Sequence, residues 1–148
     1  LIQASDGNFY GTTYAGGGYY GTVFRITPGG VENTLYSFNG GNGGGSPQAE
    51  LIQVNDGSFY GTTNTGGSSE NYGRGFGAIF KITPTGVENV VYAFKGGNEG
   101  AHPRARLIRA NDGSFYGTTS DTDNDNARGT VFRMITETTE VAIYSFGN

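Results

Sequence analysis

Side chains capable of chemistry cluster in three places along this chain. The densest is Asp121-Thr122-Asp123-Asn124-Asp125-Asn126. Alternating carboxylates on a loop suit Ca²⁺, a hard cation that takes six to eight oxygen ligands. The EF-hand spacing fails, because Asn126 stands where the loop glycine belongs and Phe132 where the closing glutamate belongs. A solvated acidic loop is the simpler reading. Asp121, Asp123 and Asp125 are the candidate Ca²⁺ ligands, and no other cofactor is expected.

The second place surrounds His102, the sole histidine, with Arg104, Arg106 and Arg109 close behind it. One histidine excludes a His-rich metal site and a Ser-His-Asp triad repeated along the chain. The basic group suits an acidic sugar or an acidic neighbour, against the plainer reading of a solvated linker. The third place is a set of aromatics among glycines: Tyr14, Tyr19, Tyr20, Tyr72 and Phe76, with Arg74 beside them. Rings next to Asn, Asp and Arg can stack on sugar faces. The alternative is that glycine-flanked rings pack down on their own loops.

What must position these groups is a repeat. Asp-Gly-x-Phe-Tyr-Gly-Thr-Thr occurs at 6–13, 56–63 and 112–119. Each copy continues into Gly21-Thr22-Val23-Phe24-Arg25-Ile26 or its counterparts at 77–82 and 129–134, and closes on Leu35-Tyr36-Ser37-Phe38, Val91-Tyr92-Ala93-Phe94 or Ile143-Tyr144-Ser145-Phe146. A period of roughly 50 residues means a repeat architecture. We divide the chain into 1–50, 51–106 and 107–148, each a repeat, the first two with a linker. The count from the opening Leu to the second Thr is 13 in every copy, and from the later Gly to the last Phe it is 18. Only the connector between those segments varies, with 7, 13 and 9 residues at 14–20, 64–76 and 120–128.

Four short strands per copy describe an antiparallel meander. Leu1 to Ser5, Asn8 to Thr13, Gly21 to Thr27 and Val31 to Phe38 are the expected strands of the first copy. Asp-Gly is a hairpin signal, since both residues tolerate the positive φ of tight turns. That role accounts for Asp6, Asp56 and Asp112 better than catalysis does. The Thr-Thr pairs are expected to pair across strands, and Tyr10, Tyr60, Tyr116, Tyr36, Tyr92 and Tyr144 to fill space between sheets. One small sheet cannot bury enough apolar surface alone. The expected fold is therefore all-β, with three β-propeller-like blades, and the variable connectors and the linkers gather at one end.

With 28 glycines in 148 residues the chain is far above the usual share of about 7%. They follow no three-residue period, which excludes collagen. No cysteine is present, so thiolate sites and disulfides are excluded. No apolar run approaches the ~20 residues of a membrane helix. A net charge of −4 argues against nucleic acid. The start on Leu1 in mid-pattern suggests a piece of a longer precursor or array.

The string Leu-Ile-x-x-x-Asp-Gly-x-Phe-Tyr-Gly-Thr-Thr, followed by Gly-Thr-Val-Phe-Arg-Ile-Thr-Pro and Leu-Tyr-Ser-Phe-x-Gly-Gly, resembles the GloVer tandem repeat of choice-of-anchor bacterial surface proteins. The likeness spans the whole chain. The third copy departs from it, with Ile135-Thr136-Glu137-Thr138 in place of Thr-Pro-x-Gly. The resemblance implies an exported, surface-attached bacterial protein and brings no catalytic residues with it. The expected function is a non-enzymatic surface scaffold that associates with further repeats as a filament or ring. A lectin-like carbohydrate-binding propeller is the second reading, and a polysaccharide-active enzyme the last.

Overall fold

The computed structural model describes residues 1–67, 75–122, 127–136 and 139–147. Every regular element among them is a strand, apart from one 3-10 turn at Gly97–Glu99. The first sheet holds β1 (Ile2–Gln3), β2 (Phe9–Thr13), β3 (Thr22–Ile26) and β4 (Glu32–Ser37), hydrogen-bonded in chain order. The second repeats it with β5 (Ile52–Gln53), β6 (Phe59–Thr63), β7 (Ala78–Ile82) and β8 (Glu88–Ala93). The third contains β10 (Ile108–Arg109), β11 (Phe115–Asp121), β12 (Ala127–Thr136) and β13 (Thr139–Gly147). All pairings in these chain-order ladders are antiparallel. The expected all-β meander repeats are thus the observed fold.

The Asp-Gly turn sits where the sequence puts it but works differently. Ala4 N–H bonds Asn8 O and Gly7 N–H bonds Ala4 O, both at 2.9 Å, which makes a three-residue loop. Only Gly7 takes positive φ there (83°), the left-handed position of such a loop. Asp6 instead accepts the Asn8 N–H on its Oδ1 at 3.0 Å. Asp56 and Asp112 do the same for Ser58 and Ser114 at 2.8 and 2.9 Å. The aspartate fixes the turn by accepting a backbone proton, not by tolerating a left-handed backbone.

The second glycine of the motif has another cause. A Cβ on Gly61 would lie 2.6 Å from the Phe80 ring, and one on Gly117 2.4 Å from the Phe132 ring. The phenylalanine of the third strand lies across the backbone of the second, and only glycine leaves room for it. The paired threonines behave as expected. Thr13, Thr63 and Thr119 each accept, on Oγ1, a backbone N–H of the neighbouring strand, from Thr22, Ala78 and Thr130 at 3.0, 3.0 and 2.9 Å.

Successive sheets pack through two cores. Tyr10, Phe38, Phe59 and Phe80 join the first sheet to the second, and Tyr60, Phe94, Phe115 and Phe132 join the second to the third. Tyr10 stacks on Phe59 with centroids 4.3 Å apart, and Tyr60 lies 4.5 Å from Phe115. Phe38 meets Phe80 edge-on at 5.2 Å, and Phe94 meets Phe132 at 5.1 Å. Tyr116 and Tyr144 depart from the expectation of filling space between sheets. Arg133 lies over the Tyr116 ring at 5.8 Å, and Tyr144 is exposed on the outer face of the third sheet.

The linkers are more than crossings. The second contributes β9 (Ala101–Pro103), which pairs with β11. In the first, Gly45 bridges Thr65 in the same place. Ser46 donates its N–H back to Tyr20 O at 2.7 Å and accepts on its carbonyl from Asn64 N–H at 3.3 Å. His102 repeats the backward bond, to Phe76 O at 2.7 Å. Each linker is therefore hydrogen-bonded to the sheet behind it and the sheet ahead.

Candidate functional site

The variable connectors and the linkers do share one end of the sheets, because turns of a meander alternate between ends. Between the first and second sheets at that end lies a cleft of about 570 Å³ lined by Thr12, Tyr14, Pro47, Gln48, Asn64 and Arg104. Two of the expected site residues, Tyr14 and Arg104, meet there. Tyr14 leaves 60% of its surface open. Thr12 Oγ1 donates to Ala49 O at 3.1 Å, which holds the first linker against β2.

Asn64 is the least expected member. The residue is 92% buried, and its Nδ2 has no hydrogen-bond partner among the described residues. A buried amide without a partner is costly; the residue lines the cleft, while its Nδ2 is closed off from solvent. The Asn64 backbone carbonyl accepts from His102 Nδ1 at 2.7 Å. The cleft thus presents the Tyr14 ring, the exposed Gln48 amide, the Arg104 guanidinium and the Thr12 hydroxyl, the groups that hold a polyhydroxylated ligand.

The other expected residues go elsewhere. Tyr20 is packed on the first core, with its ring over Gly40 and Gly45. Phe76 does the same in the second copy, over Gly96, with its centroid 6.3 Å from that of His102. His102 has φ 56° and accepts Ser120 Oγ on its carbonyl at 2.9 Å, as part of the linker joint. Tyr19 is 89% exposed and lies outside the cleft lining. Asp121 lies in β11 opposite Ala101, and Ser120 Oγ donates to its Oδ2 at 3.3 Å. Tyr72, Arg74, Asp123 and Asp125 lie outside the described residues. Among the described residues, no three His, Cys, Asp or Glu side chains converge as a metal cluster.

Among the described residues, the most perturbed carboxyl lies between sheets. Tyr92 Oη is 2.5 Å from Glu99 Oε2 and 3.3 Å from Glu140 Oε2. A phenol has one proton to donate, so contact with both acids is best satisfied when one carboxyl carries a proton. Burial pushes Glu140 up to about 7, and the nearby Glu99 charge adds to it; the Tyr92 bond and Lys95 act against the rise. Burial likewise raises the Tyr92 hydroxyl, and bonding to Glu99 adds to the effect. Tyr36 and Glu88 form the counterpart one junction earlier. Burial raises both, Tyr36 to about 12. This pairing was missed in the sequence, although glutamate recurs at 32, 88 and 140 and tyrosine at 36, 92 and 144. The signal needed the adjacent sheet, because Tyr36 and Tyr92 each meet the glutamate of the next copy.

The turn-end acids are held ionised. Hydrogen bonding to Asn8 lowers Asp6, and the backbone N–H groups of Ser58 and Ser114 lower Asp56 and Asp112, with Lys81 and Arg133 assisting the latter two.

The Gloeobacter/Verrucomicrobia repeat family matches residues 1–148. Among curated proteins, none matches the sequence. Among solved structures, the chain resembles an X-ray structure whose assignment as a gluconolactonase is provisional, with 16% identity and a TM-score of 0.56. The match covers 97% of this chain and 46% of that one. At that identity the likeness concerns the fold, and this chain spans less than half of that structure's length.

Proposed function

The chain belongs to the Gloeobacter/Verrucomicrobia repeat family, and from that premise we propose that it is a non-enzymatic repeat scaffold, extended by further repeats of its own kind. One observation carries the reading. Phe38 and Phe94 are each 1% exposed because a following sheet covers them, while Phe146, at the same place in the third sheet, is 49% exposed. Tyr144 beside it lacks the covering that Tyr36 and Tyr92 receive. On the opposite outer face the first sheet presents exposed Glu32, the counterpart of Glu88 and Glu140. The two outer faces therefore carry the two halves of the junction that recurs inside the chain, as expected of stacked repeats. The GloVer resemblance supports placing the scaffold outside a bacterial cell, attached to its surface.

Light scattering across concentration tests self-association. Growth of mass with concentration, abolished by Phe146→Glu, is the expected result. A monomer at all concentrations up to about 1 mM would overturn association between copies.

A second reading, glycan binding, is favoured by the exposed Tyr14 ring beside Gln48 and Arg104 in the loop-end cleft. A titration with neutral and acidic oligosaccharides tests it. Binding that weakens in both Arg104→Ala and Tyr14→Ala supports it, and no binding at millimolar sugar removes it.

A further inference from the structure

The opposite end of the second junction holds a different cavity, of about 400 Å³, which lies between the β5–β6 turn and the third sheet. Its walls are Tyr60, Phe115, Met134 and Ile135, with Lys81 and Arg109 as cations among the lining residues. The repeat supplies an internal control for this place. Aspartate, tyrosine and phenylalanine are shared with the first junction, as Asp6, Tyr10 and Phe59. The changes concentrate on the remaining wall: Arg109 replaces Gln53, Ile135 replaces Thr83, Met134 replaces Ile82 and Val54 replaces Ala4.

These changes alter the chemistry in one direction. At the first junction Gln53 Oε1 accepts Ser5 N–H at 2.8 Å, which ties the two turns together. At the second, Arg109 Nη1 donates to Asn55 Oδ1 at 3.3 Å, and a guanidinium has further N–H donors beyond that one. Lys81 pairs with Asp56 at 3.2 Å, so that pair is neutral and Arg109 supplies the net charge. Ile135, 49% exposed, stands where Thr83 spends its hydroxyl on Val87 N–H at 3.1 Å. The wall has gained apolar surface and a cation together.

We propose that this cavity binds a small organic monocarboxylate with a flat apolar body. The body lies against Ile135 and Val54, over the edges of Tyr60 and Phe115, and the carboxylate takes the forked donors of Arg109. The volume fits such a molecule, being near the lower end of the range of about 300–1,000 Å³ for ligand pockets.

Benzoate and benzamide are the probes, titrated into the ¹⁵N-labelled chain by NMR. Saturable benzoate binding with Kd on the order of 1 mM is expected, with shifts centred on Phe115 and Ile135. Benzamide, equal in shape and uncharged, should bind about tenfold more weakly. Arg109→Gln and Ile135→Thr install residues that the earlier copies already carry, so the fold is retained, and each should weaken benzoate, Arg109→Gln by about tenfold. Equal affinity for benzamide, unchanged benzoate affinity in a folded Arg109→Gln variant, shifts confined to the loop end, or no binding at about 10 mM would each overturn the proposal.

Discussion

The two junctions between sheets share a skeleton and differ in their polar fittings. Tyr10 on Phe59 and Tyr60 on Phe115 are the same contact within 0.2 Å, as the 4.3 and 4.5 Å centroid distances show. At the outer strands, however, Tyr36 meets one glutamate, while Tyr92 meets two, with Lys95 3.6 Å from Glu99. At the turn end a glutamine tie is exchanged for an arginine. The apolar framework must recur because each sheet is stable only against its neighbour. Polar positions on the periphery are free of that requirement, and there the copies diverge.

The comparison is broken most directly through its skeleton. Phe80→Ala and Phe132→Ala each remove a fully buried ring and should cost about 3–5 kcal/mol by denaturant unfolding. The two values should agree within about 1 kcal/mol. A mild effect at Phe132 alone would show that the second junction does not rest on the shared framework.

Next in size is Gly61→Ala, expected to cost about 1–3 kcal/mol because its methyl would strike the Phe80 ring. Combining it with Phe80→Leu should cost less than the two changes added, since the ring is the obstacle. Strict additivity would assign the glycine's role to backbone freedom instead.

The third test separates the junctions by pH. Glu140 titrates at about 7 in the folded protein, above its ordinary value of 4.5. Below pH 4.5 both folded and unfolded chains hold the proton, and this group costs nothing. Between 4.5 and 7 the unfolded chain releases it first, so stability falls as pH rises, and the penalty is complete above 7. Screening at this half-exposed site limits the loss to about 1 kcal/mol. Thermal melts at pH 5 and 8 should show it, and Glu140→Gln should flatten the slope more than Glu88→Gln does. An equal response would mean that the extra glutamate at the second junction is inert.

The smallest effect belongs to the turns. Asp56→Ala removes an exposed acceptor for one backbone N–H and a Lys81 pair, Asp6→Ala the acceptor of the Asn8 N–H and of the Tyr10 hydroxyl at 2.9 Å, and each should lower the thermal midpoint by about 2 °C or less. A larger drop for Asp56 would show that its Lys81 pair braces the second junction.

The sequence made the strands legible because their spacing is identical in each copy; the extended ladders of β12 and β13 and the strand β9 were not. A linker read as glycine-rich conceals β9, whose pairing depends on the neighbouring sheet. Of the candidate cleft at the loop end, Tyr14 and Arg104 were singled out in the sequence. Tyr20 and Phe76 misled because they are aromatic and glycine-flanked, yet they stand at the same place in their copies, directly before Gly21 and Gly77. Recurrence marks them as packing. Tyr14, Asn64 and Ser120 also occupy one place but differ in type, and that variation is the better pointer to a surface used for recognition. Asn64 gives no local sign of being buried, since the linker and His102 enclose it.

The two-way bonding of Ser46 and His102 carries a consequence for how such a protein changes length. The joint between two blades is written entirely within the repeat and its own linker, with no separate part to be supplied. A duplication or loss of one whole coding unit therefore brings or removes its joint in register, and every other junction is left intact. Arrays of this kind can lengthen in single steps at almost any point, each new blade arriving already fitted to its neighbours.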